Sequence, residues 1–215
     1  MHNIKSWSYS SLKSYEGCPH AWMYRRIIKK PEPKSIYLIR GESVHKLAED
    51  YLNHVHADLP LALTMFKKEF ATLRERNAIA EEEIVLTDKW EHLPDGWSHD
   101  EAWLRLKTDA RLDNFIIDFK TGKYYESHDE QARLYANALL CLHPEWNDID
   151  VEFWYLESGM VKSYRFVRED LADHIADWNE RVKRMMEDET FAPTEHEYCK
   201  YCYVKSVCPL FVKEK

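Results

Sequence analysis

TDARLDNFIIDFKTGK, Thr108–Lys123, sets three aspartates and two lysines among β-branched and aromatic residues. Charged groups are poor strand material, and like charges facing each other across a sheet are destabilising. The stretch nevertheless alternates as strands do. Leu104, Leu106, Thr108, Ala110 and Leu112 share one face; Trp103, Arg105, Lys107, Asp109 and Arg111 share the other. In the next strand Phe115, Ile117 and Phe119 alternate with Ile116, Asp118 and Lys120. Asp113-Asn114 suits a two-residue turn, because both residue types tolerate positive φ. That turn predicts the register: Leu112 faces Phe115, Arg111 faces Ile116, Ala110 faces Ile117 and Asp109 faces Asp118. The apolar faces then coincide, which supports the same register independently. Asp109 and Asp118 oppose each other with Cβ atoms about 4.5–5.5 Å apart, and Lys120 projects from the same face. A hard divalent cation relieves such a pair, since Mg²⁺ takes one or two carboxylates while keeping waters. A lysine beside it can orient a water or offset developing negative charge. A solvated hairpin, with Lys107 and Arg111 as salt-bridge partners, is the plainer alternative.

Outward from the hairpin, the order reads helices, three strands, helix, two strands, helix. This is an α/β chain with a central mixed sheet flanked by helices. SYSSLKSYEGCPHAWMYRRII is helical in two pieces broken at Gly17-Cys18-Pro19, and the PEPK segment, Pro31–Lys34, is a linker turn. GESVHKLAEDYLNHV (41–55) repeats apolar residues at helical spacing, and 61–80 continues helical. EIVLT (83–87) is a strand, 90–100 a turn-rich loop, and 127–142 a helix. VEFWYLES and MVKSYRFV form a hairpin through Ser158-Gly159, before an amphipathic helix over 169–188.

With these residues placed, the sequence resembles the PD-(D/E)XK nuclease superfamily. Asp109 followed by Asp118-Phe119-Lys120 matches its D…(D/E)-x-K core, and the run on to Thr121-Gly122-Lys123 is similar to its RecB-like branch. Gly41-x-x-x-His45, with Glu49 one turn later, resembles the branch's upstream histidine motif. Gln131-x-x-x-Tyr135 resembles its post-core helix motif. Ser10-x-Leu12-x-x-Tyr15-x-x-Cys18-Pro19 resembles its N-terminal signature, and Cys199-x-x-Cys202-x₅-Cys208-Pro209 the cysteine cluster of its iron–sulfur members, among them CRISPR-adaptation and AddB-type nucleases.

The resemblance implies a restriction-endonuclease-like core. It makes Lys120 the catalytic lysine and Asp109, Asp118, His45 and the Phe119 carbonyl metal ligands for Mg²⁺ or Mn²⁺. It brings Gln131 and Tyr135 toward the site or the DNA; ordinary core packing is their plainer reading. Glu83 is a possible outer carboxylate, and Asp113 has only its turn. The implied domain is single, over 1–215, with an N-terminal helical segment (1–35), a nuclease core (36–190) and a cysteine-bearing tail (191–215). Cys18, Cys199, Cys202 and Cys208 would hold a structural [4Fe–4S] cluster joining the two terminal segments. Zn²⁺ is the rival, because four thiolates suit both metals, and His20 and His196 are alternative zinc ligands. Cys141, on the 127–142 helix, reads as a small core residue.

The remaining properties bound the function. Five cysteines without a secretory leader suggest metal binding in a reducing cytoplasm, bacterial or phage-infected, rather than disulfides. No stretch approaches a membrane span. The net charge is −8, so no global basic field announces a nucleic acid, although Arg25, Arg26, Lys29, Lys30 and Lys34 form a local basic run. That run, with exposed aromatics such as Trp22 or Tyr24, could track a single strand. The leading expectation is a metal-dependent deoxyribonuclease, an exonuclease acting on single-stranded or end-bearing DNA in recombination, repair or CRISPR adaptation with a protein partner. A DNA-end-binding module without catalysis and a zinc-stabilised interaction domain are the two rivals.

Overall fold

The computed structural model describes residues 4–212 of the chain. These divide into two compact units, one of 4–34 with 176–212 and one of 35–175.

The second unit holds a five-stranded mixed sheet with neighbours in sequence order: β1 (Ile79–Leu86), β2 (Leu104–Leu112), β3 (Phe115–Lys120), β4 (Asp148–Tyr155) and β5 (Met160–Val167). The β2–β3 register is Ala110 opposite Ile117, Arg111 opposite Ile116 and Leu112 opposite Phe115, three of the predicted pairs; the fourth, Asp109 opposite Asp118, is not formed, because the strands stop pairing there and the Asp109 side chain takes the Phe119 N–H instead. Asp113 takes φ 54° at the first central position of the turn; positive φ there alone is the hairpin-compatible II′ pattern. β3 and β4 run parallel, so a crossover must join them. That crossover is α5 (Ser127–Leu142). Asp129 and Glu130 in its first turn suit the positive end of the helix dipole, and the helix stops two residues before Pro144.

The two faces of the sheet differ in kind. Ala110, Ile117, Phe119 and Trp154 pack on α3 (Ile36–Leu52), a 3₁₀ segment (Leu61–Phe66) and α4 (Lys67–Glu75), through Val44, Ala48, Leu63, Phe66 and Phe70. Phe66 stacks flat on Trp154 at 5.0 Å, and Phe70 tilts against Phe119 at 5.0 Å. Truncating one of these rings to alanine costs about 3–5 kcal/mol. The opposite face carries Asp118 and Tyr155 beneath α5. Gly41 lets α3 pass close over the end of β3: a Cβ there would stand 3.4 Å from Thr121 Oγ1.

Three local expectations are corrected. α3 begins at Ile36, with the Ser35 hydroxyl accepting from the Leu38 N–H at 3.1 Å, rather than at Gly41, because a serine cap outweighs the absence of an inward apolar face in the first turn. β1 begins at Ile79 rather than Glu83. Trp22 is not an exposed strand-tracking aromatic: it is fully buried, and its indole N–H donates to Ser11 Oγ at 3.0 Å.

Trp22 belongs to the first unit, where α1 (Tyr9–Gly17) and α2 (Pro19–Arg26) are joined by Cys18. Trp22 stacks on Phe191 and meets Tyr15 edge-on. Arg181, on α6 (Leu171–Glu187), grips Glu16 in a bidentate pair at 2.7 and 2.9 Å. The Tyr203 hydroxyl donates to the Ala21 carbonyl at 3.0 Å, which ties the cysteine-bearing tail to α2. In the basic run Arg25 is paired with Glu32 at 2.5 Å. No helix among the described residues is long and apolar enough to cross a membrane.

Candidate active site

Asp109 sits where β2 and β3 stop pairing. Its Oδ2 accepts the Phe119 backbone N–H at 2.6 Å, and its Oδ1 lies 3.0 Å from His45 Nδ1. The side chain thus takes up a donor that the ladder leaves free and fixes the carboxylate between the sheet and α3. Burial raises the Asp109 pKa, the Asp118 charge adds to this, and His45 opposes both. Burial alone would lower the pKa of His45, but the hydrogen bond and charge of Asp109, with Asp118 behind, push it up to about 9.

Asp118 is 2% exposed and points under α5. Its Oδ1 accepts from Gln131 Nε2 at 3.1 Å and from the Tyr135 hydroxyl at 3.0 Å. Gln131 also donates to the Tyr135 oxygen at 2.8 Å, and its own Oε1 accepts from Lys120 Nζ at 2.9 Å. The two α5 residues are one turn apart, so one helix face delivers both. Lys120 Nζ stands 2.7 Å from Asp118 Oδ2 and 4.9 Å from the Phe153 ring centroid. The Asp118 contact lacks hydrogen-bond alignment, so Oδ2 remains a buried acceptor without a hydrogen bond. A buried carboxylate is costly unless a cation pairs with it, and here the Lys120 ammonium does so. Burial beside Asp118 and Asp109 lifts the Tyr135 pKa well above the phenolic range, so Tyr135 is held as a proton donor.

One residue of the site escapes the motif reading. Glu81 lies opposite Asp109 in the β1–β2 alignment, yet the ladder skips it: Ala80 pairs Ala110 and Glu82 pairs Thr108. Its φ is 55°, a left-handed conformation costly for a non-glycine residue inside a strand and typical of functional positions. His45, Glu81 and Asp109 each offer a ligand atom, all within 4.8 Å of one another. Lys107 Nζ is 2.7 Å from the Glu81 carboxylate. Glu83, the sequence candidate, is solvent-facing, and its nearest cation, Lys107, is 4.0 Å away. Three successive glutamates, 81–83, give alternation no means of choosing among them; only the backbone reversal at Glu81 does.

Oxygen and imidazole donors of this kind suit a small divalent cation. The structure thus joins Asp118, Lys120, Gln131 and Tyr135 in one network beneath α5, and His45, Asp109 and the Phe119 N–H in another toward α3, with Glu81 beside the second. The cysteines lie elsewhere, in the first unit: Cys18, Cys199 and Cys208 are buried and Cys202 is half-buried. The His196 N–H donates to Cys199 Sγ at 3.3 Å. Among the described residues no three of their sulfurs lie within 4.8 Å of one another. Cys141 is half-buried, and its thiol is pushed up to about 11 by burial.

No curated protein matches the chain. Two solved structures share its fold. One is a Eubacterium rectale protein named "Putative exonuclease", with a TM-score of 0.58 and 14% identity, the alignment covering 98% of this chain and 90% of that one. The other is SSO0001, with a TM-score of 0.50 and 14% identity over 99% of this chain and 90% of that one. At such identity the likeness shows the fold alone. The family model of the PD-(D/E)XK nuclease superfamily matches residues 6–114 and 104–209, and this chain belongs to that superfamily.

Proposed function

We propose that the protein is a Mg²⁺- or Mn²⁺-dependent deoxyribonuclease of the RecB-like branch that trims single-stranded or end-bearing DNA. The observation that carries this reading is the convergence of ligand atoms from His45, Glu81 and Asp109, all within 4.8 Å of one another, near the buried Asp118 that is ion-paired to Lys120. A binding module has no use for two neighbouring acids with a lysine beside them, whereas phosphodiester hydrolysis does. His45, Asp109, Asp118 and the Phe119 carbonyl would hold the cation, with Glu81 reaching the same place. When bound, it draws charge from the scissile phosphate and acidifies a water. Lys120, aimed by Gln131 and Phe153, positions that water and offsets the charge that grows on the phosphate oxygens. Tyr135 and Gln131 lock Asp118 in one rotamer, so no reorganisation is needed as the reaction proceeds.

The exonuclease reading agrees with the name of the Eubacterium rectale neighbour. An enzyme of this type suits recombination, repair or CRISPR adaptation in a bacterial or phage-infected cytoplasm. Cys18, Cys199, Cys202 and Cys208 fall within one compact unit, which supports a shared structural [4Fe–4S] cluster.

The test is cleavage of end-labelled single- and double-stranded DNA with Mn²⁺ by wild type, Asp118→Ala and Lys120→Ala. Cleavage by wild type alone supports the enzyme. Equal cleavage by all three marks a contaminant and refutes the site. Binding without cleavage in Mg²⁺ and Mn²⁺ returns the protein to a DNA-binding module. Anaerobic purification with metal analysis decides the cysteines: iron with a brown colour supports the cluster, and one zinc with no colour overturns it.

A further inference from the structure

On the α3 side of the site lies a cavity of about 550 Å³ that is lined by Tyr37, Leu38, Gly41, His45, Glu81 and Asp109 among others, a volume in the range of small-ligand sites. Its outer wall is unusual. The first turn of α3, Ile36–Ile39, is four apolar residues in a row, each at least half exposed, and Tyr37 is 80% exposed. Two of the four, Tyr37 and Leu38, face the cavity. They share one strip of α3 with His45, two helical turns further on, about 12 Å along the axis. A nucleotide covers that distance from its phosphate to the far edge of its base.

Charge narrows the occupant. Glu42, Glu49, Glu81 and Asp109 line the cavity against Lys46 and Lys107. Both lysines already have carboxylate partners: Lys46 lies 3.0 Å from Glu49 and 3.0 Å from Asp50, and Lys107 lies 2.7 Å from Glu81. A phosphate would be repelled here away from the cation site, whereas a neutral aromatic ring would not. A base pair is too large for this volume; a single base is not.

We propose that this cavity seats one unpaired nucleobase, stacked on the Tyr37 ring, belonging to the nucleotide next to the phosphate under attack. The proposal rests on the nuclease reading and gives it a selectivity: the enzyme needs a single-stranded or frayed nucleotide at that position, with little preference for base identity, because every base has a stacking face. Gly41 keeps the floor of the seat open, and Leu38 covers its apolar side.

The test separates the seat from the chemistry. 2-Aminopurine, whose fluorescence is quenched by stacking, is placed at one position at a time along a single strand and bound to the Lys120→Ala protein in Mg²⁺. One position should be quenched. That quenching should vanish when Tyr37→Ala is added, persist with Tyr37→Phe, and be indifferent to Ile36→Ala, whose side chain is exposed outside the cavity. In the otherwise native protein, Tyr37→Ala should raise KM about ten- to a hundredfold with kcat nearly unchanged, and an abasic residue at the same position should impose a similar penalty on wild type. Quenching independent of Tyr37, or absent at every position while wild type cleaves, overturns the seat and leaves the nuclease reading standing. Tyr37-dependent quenching in a protein that cleaves nothing does the reverse. Failure to bind DNA at all overturns both.

Discussion

The two sides of β3 present the same chemistry in opposite states of completion. Toward α5, Asp118, Lys120, Gln131 and Tyr135 form a closed net in which every side chain holds another at 2.7–3.1 Å. Toward α3, His45, Glu81 and Asp109 converge around an open cavity. The closed side is preorganised, and its residues can act on a reacting group without first rearranging. The open side is where ligands enter, and its geometry is held by backbone: the Phe119 N–H on Asp109 and the reversed φ at Glu81. Rate should therefore be lost on substitution of Lys120, and cation affinity on substitution of His45, Glu81 or Asp109.

The largest expected effect is Lys120→Ala, which should lower the Mn²⁺-dependent cleavage rate by about 10²–10⁴-fold, the usual worth of a positioned proton-handling or charge-offsetting group. Its Mn²⁺ affinity, measured by calorimetry, should change little. A matching collapse of metal binding would mean that the two sides are not separable. Next comes Glu81→Gln, which should weaken Mn²⁺ binding about 10–100-fold, as loss of a ligand or of its close support does. Glu83→Gln should leave it unchanged. Equal effects at the two positions would show that the strained backbone at Glu81 does not select it.

That pair of glutamates also marks where sequence reasoning ends. The β2–β3 register was legible because a turn rule and a two-residue alternation agree on it. With Asp118 placed on β3, the motif residues Lys120, Gln131 and Tyr135 come within reach by strand and helix period alone, whereas the expected Asp109–Asp118 pairing is not formed. Glu81 was not legible, because nothing local marks which of three adjacent glutamates reverses the chain; the choice depends on β2 lying alongside. Trp22 was misread for a related reason. Its helix has eight residues, too few for a periodicity that separates an inward face from an outward one, and its partner Phe191 lies far along the chain. The apolar start of α3 was passed over because it has no inward face to find.

Tyr135→Phe tests the closed side by stability rather than rate. The phenol donates to a buried carboxylate, and a lost hydrogen bond of that kind costs about 1–3 kcal/mol. A lower thermal midpoint with Mn²⁺ affinity retained is expected. Unchanged stability would show that Gln131 alone satisfies Asp118.

The smallest effect belongs to the outer margin of the closed side. His128 is one turn before Gln131, is half-buried, and its Nδ1 lies 2.8 Å from the Tyr155 hydroxyl. Burial, and then the positive charge of Lys120, push its pKa down to about 4 from an ordinary 6.5. A histidine whose pKa falls on folding favours the fold while neutral. Its contribution is complete above the unfolded value and is lost as the pH drops from 6.5 toward 4, where the unfolded chain takes up a proton that the folded chain resists. Other groups titrate in the same window, so the informative quantity is a difference. The thermal midpoint of wild type should fall more steeply than that of His128→Gln between pH 7 and pH 4.5, and the two curves should run parallel above pH 7. Parallel curves throughout would mean that His128 keeps its ordinary affinity for protons, and that the charge of Lys120 is spent wholly on Asp118 and its net.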